Sequence, residues 1–456
     1  MRIMIYLSLL ILGLILSSCA SREHVSAEYI DQIDNNVIRK QSKQTVVLFL
    51  VDGLSYATLE TQLKMKNLPH IKEFFMISEP ILKAHSVFPS VTYSNISSLL
   101  KEQPVHLTGA VGNKFFIKNK LKSFETLSDR LEFTNHMHGH NIFTRLAARE
   151  GRTASLDYGL GADATVSTPF DFNSGYAASQ TDYRYVDRKK IDSLENLLLS
   201  TKPDYWPDFI FIHLVGIDFL SHAQGPRAAD TIRQLKTIDE DLQRVFALLK
   251  RGEKNHQVIS ILTADHGFIQ KPIKKISFER LVEQVDQKVL ALNEGRFAAF
   301  YFQKTLTENE LVKNAVKVLA DRHIELVSFK FGSRIRIISR QNEIYFDYIS
   351  PMNCSAEGLA LSINGQSGVC SDQLQNEIKN EPYPFLIENL ASYFKAERPP
   401  EMIVIPRRDV SFDYLGVGFH GGPTEEETIV PLLLRNATTK YSEKIPPLWE
   451  ILRFIQ

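Results

Sequence analysis

Residues 46–53 read VVLFLVDG. The stretch from Thr45 to Val51 is continuously β-branched or apolar. Such a run, with no polar alternation, fits a strand buried on both faces. Similar runs recur at Phe209–Leu214, Val258–Leu262, Met402–Ile405 and Ile429–Leu434. Helix-like stretches separate them at Asn95–Leu100, Ile142–Arg149, Ile191–Leu199 and Ala229–Lys250. Strands alternating with helices predict an α/β fold, a layered core with a mostly parallel central sheet flanked by helices.

Asp52 stands just past the first of these strands, and Asp218 and Asp265 follow two others. Open parallel sheets bind ligands at that edge. A lone Asp after a strand is ordinarily a turn or helix N-cap. Three of them, two with histidine partners, are different, because they repel one another unless cations are present. Asp218 and His222 are four apart in HLVGIDFLSH, so one helical turn projects both from the same face. Asp265 and His266 are adjacent in LTADHG, so only a non-helical strand end lets both reach one site. His420 lies in the glycine-rich GFHGGP, which has little helix or strand propensity and whose shape something else must fix. Three Asp and three His make two three-ligand metal sites. Imidazole with carboxylate ligation suits zinc, with manganese or iron as alternatives. Thr92, in FPSVTYSN, precedes a helix start and supplies a hydroxyl where a helix dipole stabilises anions. From local sequence alone the reading of Thr92 or Ser94 as a plain N-cap is the stronger one. Few reactions other than phosphoryl or sulfuryl transfer need this combination.

With 456 residues, the chain is long enough for a large core plus an insertion. Lys+Arg and Asp+Glu both number 53, so there is no basic field and no nucleic-acid scaffold role is expected. Arg2 precedes an apolar run from Ile3 to Leu16, followed by Ser17-Ser18-Cys19. This reads as a secretory signal, shorter than the roughly 20 residues that span a bilayer. The Leu-Ser-Ser-Cys ending resembles a bacterial lipobox, which implies cleavage before Cys19 and lipidation of its thiol. Ala20, not Asp, follows, so the expected location is the bacterial cell envelope, anchored by lipid to the outer membrane and facing the periplasm. Cys354 and Cys370 then remain as an even pair in an oxidising compartment, and a disulfide between them is expected.

The predicted domains are a signal peptide over 1–19, a polar tether over 20–43, a catalytic core over 44–275 and 400–456, and an inserted α+β cap over 276–399. The insertion shows strand alternation at Arg296–Gln303, Arg334–Ser339 and Ile344–Ile349, and the chain is expected to return to the core at Met402.

In this order the residues resemble the alkaline phosphatase superfamily, and more closely its type I phosphodiesterase/nucleotide pyrophosphatase branch. The resemblance covers roughly residues 44–270 and 400–435. FPSVTYSN looks like that family's FPTxTxPN segment, which implies that Thr92 is the nucleophile. HLTGAVGN, residues 106–113, looks like its HGIxxN, which implies that Asn113 donates to a phosphate oxygen. By the same matching, Asp52, Asp265 and His266 with Thr92 would hold one divalent metal, and Asp218, His222 and His420 the other. The chain departs from the pattern at Ser94, where proline is usual, and at Ser221, where glycine is usual. At His213 the nucleotide-cleaving relatives carry a tyrosine. Tyr93 either stacks on a base or ring of the substrate or packs internally. Phe115-Phe116 either lines an apolar pocket or is core.

The resemblance implies a metal-dependent hydrolase that cleaves phosphodiester or pyrophosphate bonds of a small-molecule substrate through a phospho-threonine. A phosphomonoesterase needs further cations, for which Lys114, Lys118 and Arg145 are candidates. Phosphonate hydrolysis, head-group transfer and a non-catalytic envelope lipoprotein are the other readings. The CxPxR-type segment of sulfatases is absent. No protein partner is identifiable.

Overall fold

The computed structural model describes residues 42–76, 81–117, 120–124, 126, 129–157, 160–161, 163–167, 172–270, 274–340, 343–349, 354, 358–371, 383–413, 416–437, 445–453 and 455. The signal segment, Cys19, Lys118 and nearly all of the tether lie outside them. No helix among the described residues is long and apolar enough to cross a membrane.

The central sheet has seven strands: β1 (Gln44–Val51), β2 (Leu82–His85), β3 (Thr153–Leu156), β4 (Val166–Ser167), β5 (Phe209–Leu214), β6 (Gln257–Thr263) and β7 (Ile429–Arg435). Their order is β2-β7-β6-β1-β5-β3-β4. β1 pairs in parallel with β5 and β6, and β3 with β5 and β4. Only β7 runs against its neighbours, β6 and β2. β1 is central, and Val46 to Val51 are wholly buried, as the unbroken apolar run requires.

Helices cover both faces. Successive side chains of a strand alternate between faces. Phe49 meets Phe246 of the helix Ala229–Gly252 edge-on, and Phe246 stacks on Phe74 at 4.0 Å. Phe209, which pairs with Val46, lies on the opposite face and meets Phe143 of the helix Ile142–Ala147.

A second sheet of eight strands, all antiparallel to their neighbours, is built mainly from the insertion. Met402–Pro406 was expected in the central sheet, and this expectation is corrected. It pairs with Ala298–Phe302 and Ile324–Phe331 in the second sheet. The reason is visible in its burial. Met402 and Val404 face the satellite core under the helix Glu308–Leu319, while Ile403 and Ile405 face the main core. A strand buried on both faces reads as one apolar run whichever sheet holds it. The start and return of the insertion are stitched by a short parallel pair, Val410–Phe412 with Lys274–Ile276.

Cys354 and Cys370 form a disulfide beside the edge hairpin Ala360–Ile363/Gln366–Cys370. It closes a loop of 16 residues' separation. Replacing both cysteines by serine is expected to lower stability by about 3 kcal/mol through the freed unfolded chain. The urea midpoint measures this, and an unchanged midpoint would show that the hairpin holds without the cross-link.

Candidate metal centre

The expected ligands come from strand ends, one helix and one loop. Asp52 follows β1, and the turn after it needs Gly53, which sits at φ +72. A Cβ there would lie 2.6 Å from the Phe268 ring and 3.1 Å from the Asp218 Cα. The Gly53 N–H donates to Asp265 Oδ1 at 3.1 Å, locking the ends of β1 and β6 together. Asp218 and His222 sit on the helix Gly216–Gln224 that follows β5. His420 comes from the loop before β7.

Two groups result. Asp52, Asp265 and His266 are buried, and one ligand atom from each lies within 4.8 Å of the others. Asp218, His222 and His420 meet the same condition. Thr92 joins the first group, its Oγ1 3.2 Å from His266 Nε2. The groups adjoin, since the His266 and His420 rings stack at 3.6 Å.

The hydrogen-bond partners fix what these side chains present. His222 Nδ1 faces the Gly418 carbonyl at 3.0 Å, His266 Nδ1 the Gly267 carbonyl at 3.2 Å, and His420 Nδ1 the Ser90 carbonyl at 2.8 Å. A carbonyl only accepts, so each Nδ1 carries a proton and each Nε2 is turned into the site. His222 Nε2 and His420 Nε2 point at each other 3.0 Å apart. Two lone pairs so placed repel unless a cation lies between them and the carboxylates. Asp52 Oδ1, Asp218 Oδ1 and Asp265 Oδ2 are buried without a hydrogen bond. Burial, then the Asp265 and Asp218 charges, push the Asp52 carboxyl well above its usual range. Burial also raises Asp218. Burial, then His266 and His222, push His420 far down. A bound cation reverses all three penalties, so the residues present fit a divalent metal at each group.

Thr92 is the first residue of the helix Thr92–Lys101, and Val91 occupies the N-cap with no side-chain hydrogen bond. The capping reading of Thr92 is thus replaced by one in which its hydroxyl faces the site. Asn95 ties the turn before this helix: its Oδ1 accepts from Val87 N–H, and its Nδ2 donates to the Pro89 and Val91 carbonyls. Asn113 Oδ1 accepts from Tyr93 N–H at 2.9 Å, which leaves its amide Nδ2 as the group that can donate.

Tyr93 as a substrate-stacking residue is corrected. Its ring is wholly buried among Phe115, Phe124 and Phe133. Its hydroxyl lies 2.7 Å from His136 Nδ1 in a hydrogen bond and also donates to the Phe133 carbonyl. Burial, then Lys101 and Arg398, push that imidazole down to about 4. Phe115 packs in this cluster and, with Phe116, also lines a cavity of about 230 Å³ bounded by Gly109, Val111, Tyr301, Arg398 and Pro399. Arg145 is not a spare cation, since it forms a two-pronged pair with Glu102 and donates to the Ile455 carbonyl. Lys114 Nζ donates to the Asn293 carbonyl.

Sequence reasoning missed Asp157 and Lys190 and saw His213 only as a departure from the family pattern. Asp157, Lys190 and His213 form a buried network behind Asp52. Burial works against the His213 imidazolium, but Asp157 and then Asp52 outweigh it and push the group up to about 9. Asp157 directly follows β3, so the strand-end rule would have found it had Thr-Ala-Ser-Leu read as a strand.

The His420 loop is held from outside the central sheet. Glu427 accepts from Gly422 N–H and Thr424 Oγ1, and pairs with Arg296 Nε at 3.2 Å. Arg296 also donates to the Arg407 and Val410 carbonyls. Both ionic groups are wholly buried. Glu427→Ala strands the guanidinium and is expected to cost about 3–5 kcal/mol, read as a fall in the denaturation midpoint.

Against known proteins, the family model described as type I phosphodiesterase / nucleotide pyrophosphatase matches residues 46–344. Ectonucleotide pyrophosphatase/phosphodiesterase family member 3 of Mus musculus is 23% identical over 233 residues, covering 51% of this chain and 26% of that protein. GPI ethanolamine phosphate transferase 1 of Aspergillus oryzae is 28% identical over 94 residues, 19% of this chain and 9% of that protein. The chain thus covers about a quarter or less of the length of these curated relatives. Among solved structures, phosphonoacetate hydrolase from Sinorhizobium meliloti with phosphonoformate has a TM-score of 0.59 at 14% identity, covering 91% of this chain and 95% of that one. Murine ectonucleotide pyrophosphatase / phosphodiesterase 5, inactive and in complex with AMP, has a TM-score of 0.56 at 15% identity, covering 86% and 87%. The structural likenesses show the alkaline-phosphatase-like fold.

Proposed function

The chain belongs to the type I phosphodiesterase / nucleotide pyrophosphatase family, and from that premise we propose that it is a metal-dependent hydrolase of phosphodiester or pyrophosphate bonds acting through a phospho-threonine at Thr92. The observation that carries the reading is the donor set. Three histidine Nε2 lone pairs and three unpartnered carboxylate oxygens converge beside one buried hydroxyl.

Asp52, Asp265 and His266, with Thr92, would hold one divalent ion, and Asp218, His222 and His420 the other. Zinc suits this donor set best, with manganese or iron as alternatives. Such ions supply Lewis acidity, which lowers hydroxyl pKa values and neutralises developing negative charge.

The chain's own residues do the rest. Thr92 Oγ1 attacks phosphorus. The ester P–O bond breaks, and the leaving alcohol departs with the proton that the hydroxyl gave up. Water then attacks the phospho-threonine, returning the Thr92 hydroxyl and releasing a phosphate monoester. The N-terminus of the Thr92–Lys101 helix favours the anion at this position. Asn113 Nδ2 would donate to a non-bridging oxygen as charge develops there. Arg145, tied to Glu102, is removed as a cation for a second phosphate charge, which favours diesters over monoesters. The signal-like N-terminus and the Cys354–Cys370 disulfide support an exported enzyme, lipid-anchored at Cys19 in the envelope.

Residues 20–456 with added zinc are expected to hydrolyse bis-p-nitrophenyl phosphate faster than p-nitrophenyl phosphate. Thr92→Ala should lower diester turnover by on the order of 10³-fold or more, and a chelator should abolish it. A Thr92→Ala variant that keeps wild-type turnover would remove Thr92 as nucleophile, and a monoester preference would move the enzyme to the phosphatases. Asn113→Ala is expected to lower kcat by roughly 10²–10³-fold in the same assay.

A further inference from the structure

We propose that His213, backed by Asp157, is a positioning residue for the Asp52–Asp265–His266 group: it occupies one oxygen of Asp52, so that only the other is offered to a cation. The inference rests on the metal-centre reading above.

His213 is the fifth residue of β5, and in register it pairs with Leu50 on β1. Its imidazole is buried. Nε2 lies 2.8 Å from Asp52 Oδ2, and Nδ1 lies 2.7 Å from Asp157 Oδ2. Both distances are those of charge-assisted hydrogen bonds. Asp157 stands at the end of β3, the strand beside β5, and thus braces the ring from its far side. Lys190, on the helix Tyr183–Ser200, donates to the His213 carbonyl at 2.6 Å and lies 3.5 Å from Asp157 Oδ2. The ring is therefore fixed at both nitrogens, and its backbone is fixed as well.

The consequence falls on Asp52. A free carboxylate can bind a cation through either oxygen or both. Here Oδ2 is taken by His213, while Oδ1 is buried, without a hydrogen bond, and 3.5 Å from His266 Nε2. Asp265 shows the same division by another route, since Gly53 N–H takes Oδ1 and Oδ2 is left bare. Each aspartate of this group thus presents one oxygen, in a direction fixed by a partner on the neighbouring strand or turn. Among the described residues no such hydrogen bond holds Asp218, which His213 reaches only through its charge.

The test is zinc binding to the purified metal-free protein, by competition with a chromophoric chelator, on wild type, His213→Gln, Asp157→Asn and the double variant. His213→Gln is expected to weaken one of the two zinc sites 10–100-fold and leave the other unchanged. Asp157→Asn should weaken the same site by less. The double variant should be no weaker than His213→Gln, because both residues act through the one ring. In turnover, kcat should fall while KM stays near the wild-type value. Two zinc sites of wild-type affinity in a folded His213→Gln would overturn the proposal, as would equal weakening of both sites. If His213→Gln does not fold, Asp157→Asn decides in the same way; if neither folds, the network is a fold element and the proposal falls. Zinc binding without diester turnover in the wild type would sink the hydrolase reading and leave this one standing. Wild-type turnover with an unaltered site in His213→Gln would do the reverse.

Discussion

Three carboxylates, Asp52, Asp218 and Asp265, are buried at one edge of the central sheet, close enough that the charges of Asp265 and Asp218 raise Asp52 and that of Asp265 raises Asp218. Such a cluster opposes folding unless its charge is balanced. Much of the local architecture answers that demand. The parallel order of β6, β1 and β5 puts three strand ends side by side and so creates the cluster. Gly53 N–H and His213 each neutralise part of it by taking one oxygen. What remains on each aspartate is a buried oxygen without a hydrogen bond. The arrangement is costly as protein alone and favourable as a cation site.

The histidines complete the balance by the opposite device. A backbone carbonyl holds the proton on the outer nitrogen of His222, His266 and His420, so each inner nitrogen faces the candidate metal groups. These carbonyls belong to Gly418, Gly267 and Ser90, outside the named helices and strands. Close approach is needed to bring them in. A Cβ on Gly418 would collide with the Ser221 carbonyl, and one on Gly267 with that of Glu426. The glycines of GFHGGP and ADHG thus serve the backbone geometry of the site, not loop flexibility.

The parts of this site that the sequence made legible are those carried by pattern. β1, β5 and β6 announce themselves as apolar runs, and the ligands sit at fixed offsets from them. Asp157 stayed hidden because its strand, Thr153–Leu156, is short and half polar. His213 showed only as a departure from a familiar pattern, since the partners that give it meaning are 56 and 161 residues away. Tyr93 was open between two roles because its surroundings come from Phe115, Phe124 and Phe133, which no local reading places around it. Met402–Pro406 misled for a simpler reason. An apolar run records burial on two faces and says nothing about which sheet does the burying.

That last point changes how the insertion relates to the chemistry. Ile403 and Ile405 join the main core while Met402 and Val404 join the satellite core, so one strand closes both. Arg296, at the turn between two strands of the second sheet, reaches Glu427, which in turn holds Gly422 and Thr424 beside His420. Asn113 is linked the same way, since Glu294 accepts from the N–H of Lys114, the residue that follows it. A detachable cap would leave the metal ligands in place when removed. Here the second sheet supplies the buried cation that fixes the His420 loop and the carboxylate that fixes the strand after Asn113. Arg296 and Glu294 therefore tie the second sheet to the His420 loop and to the strand after Asn113.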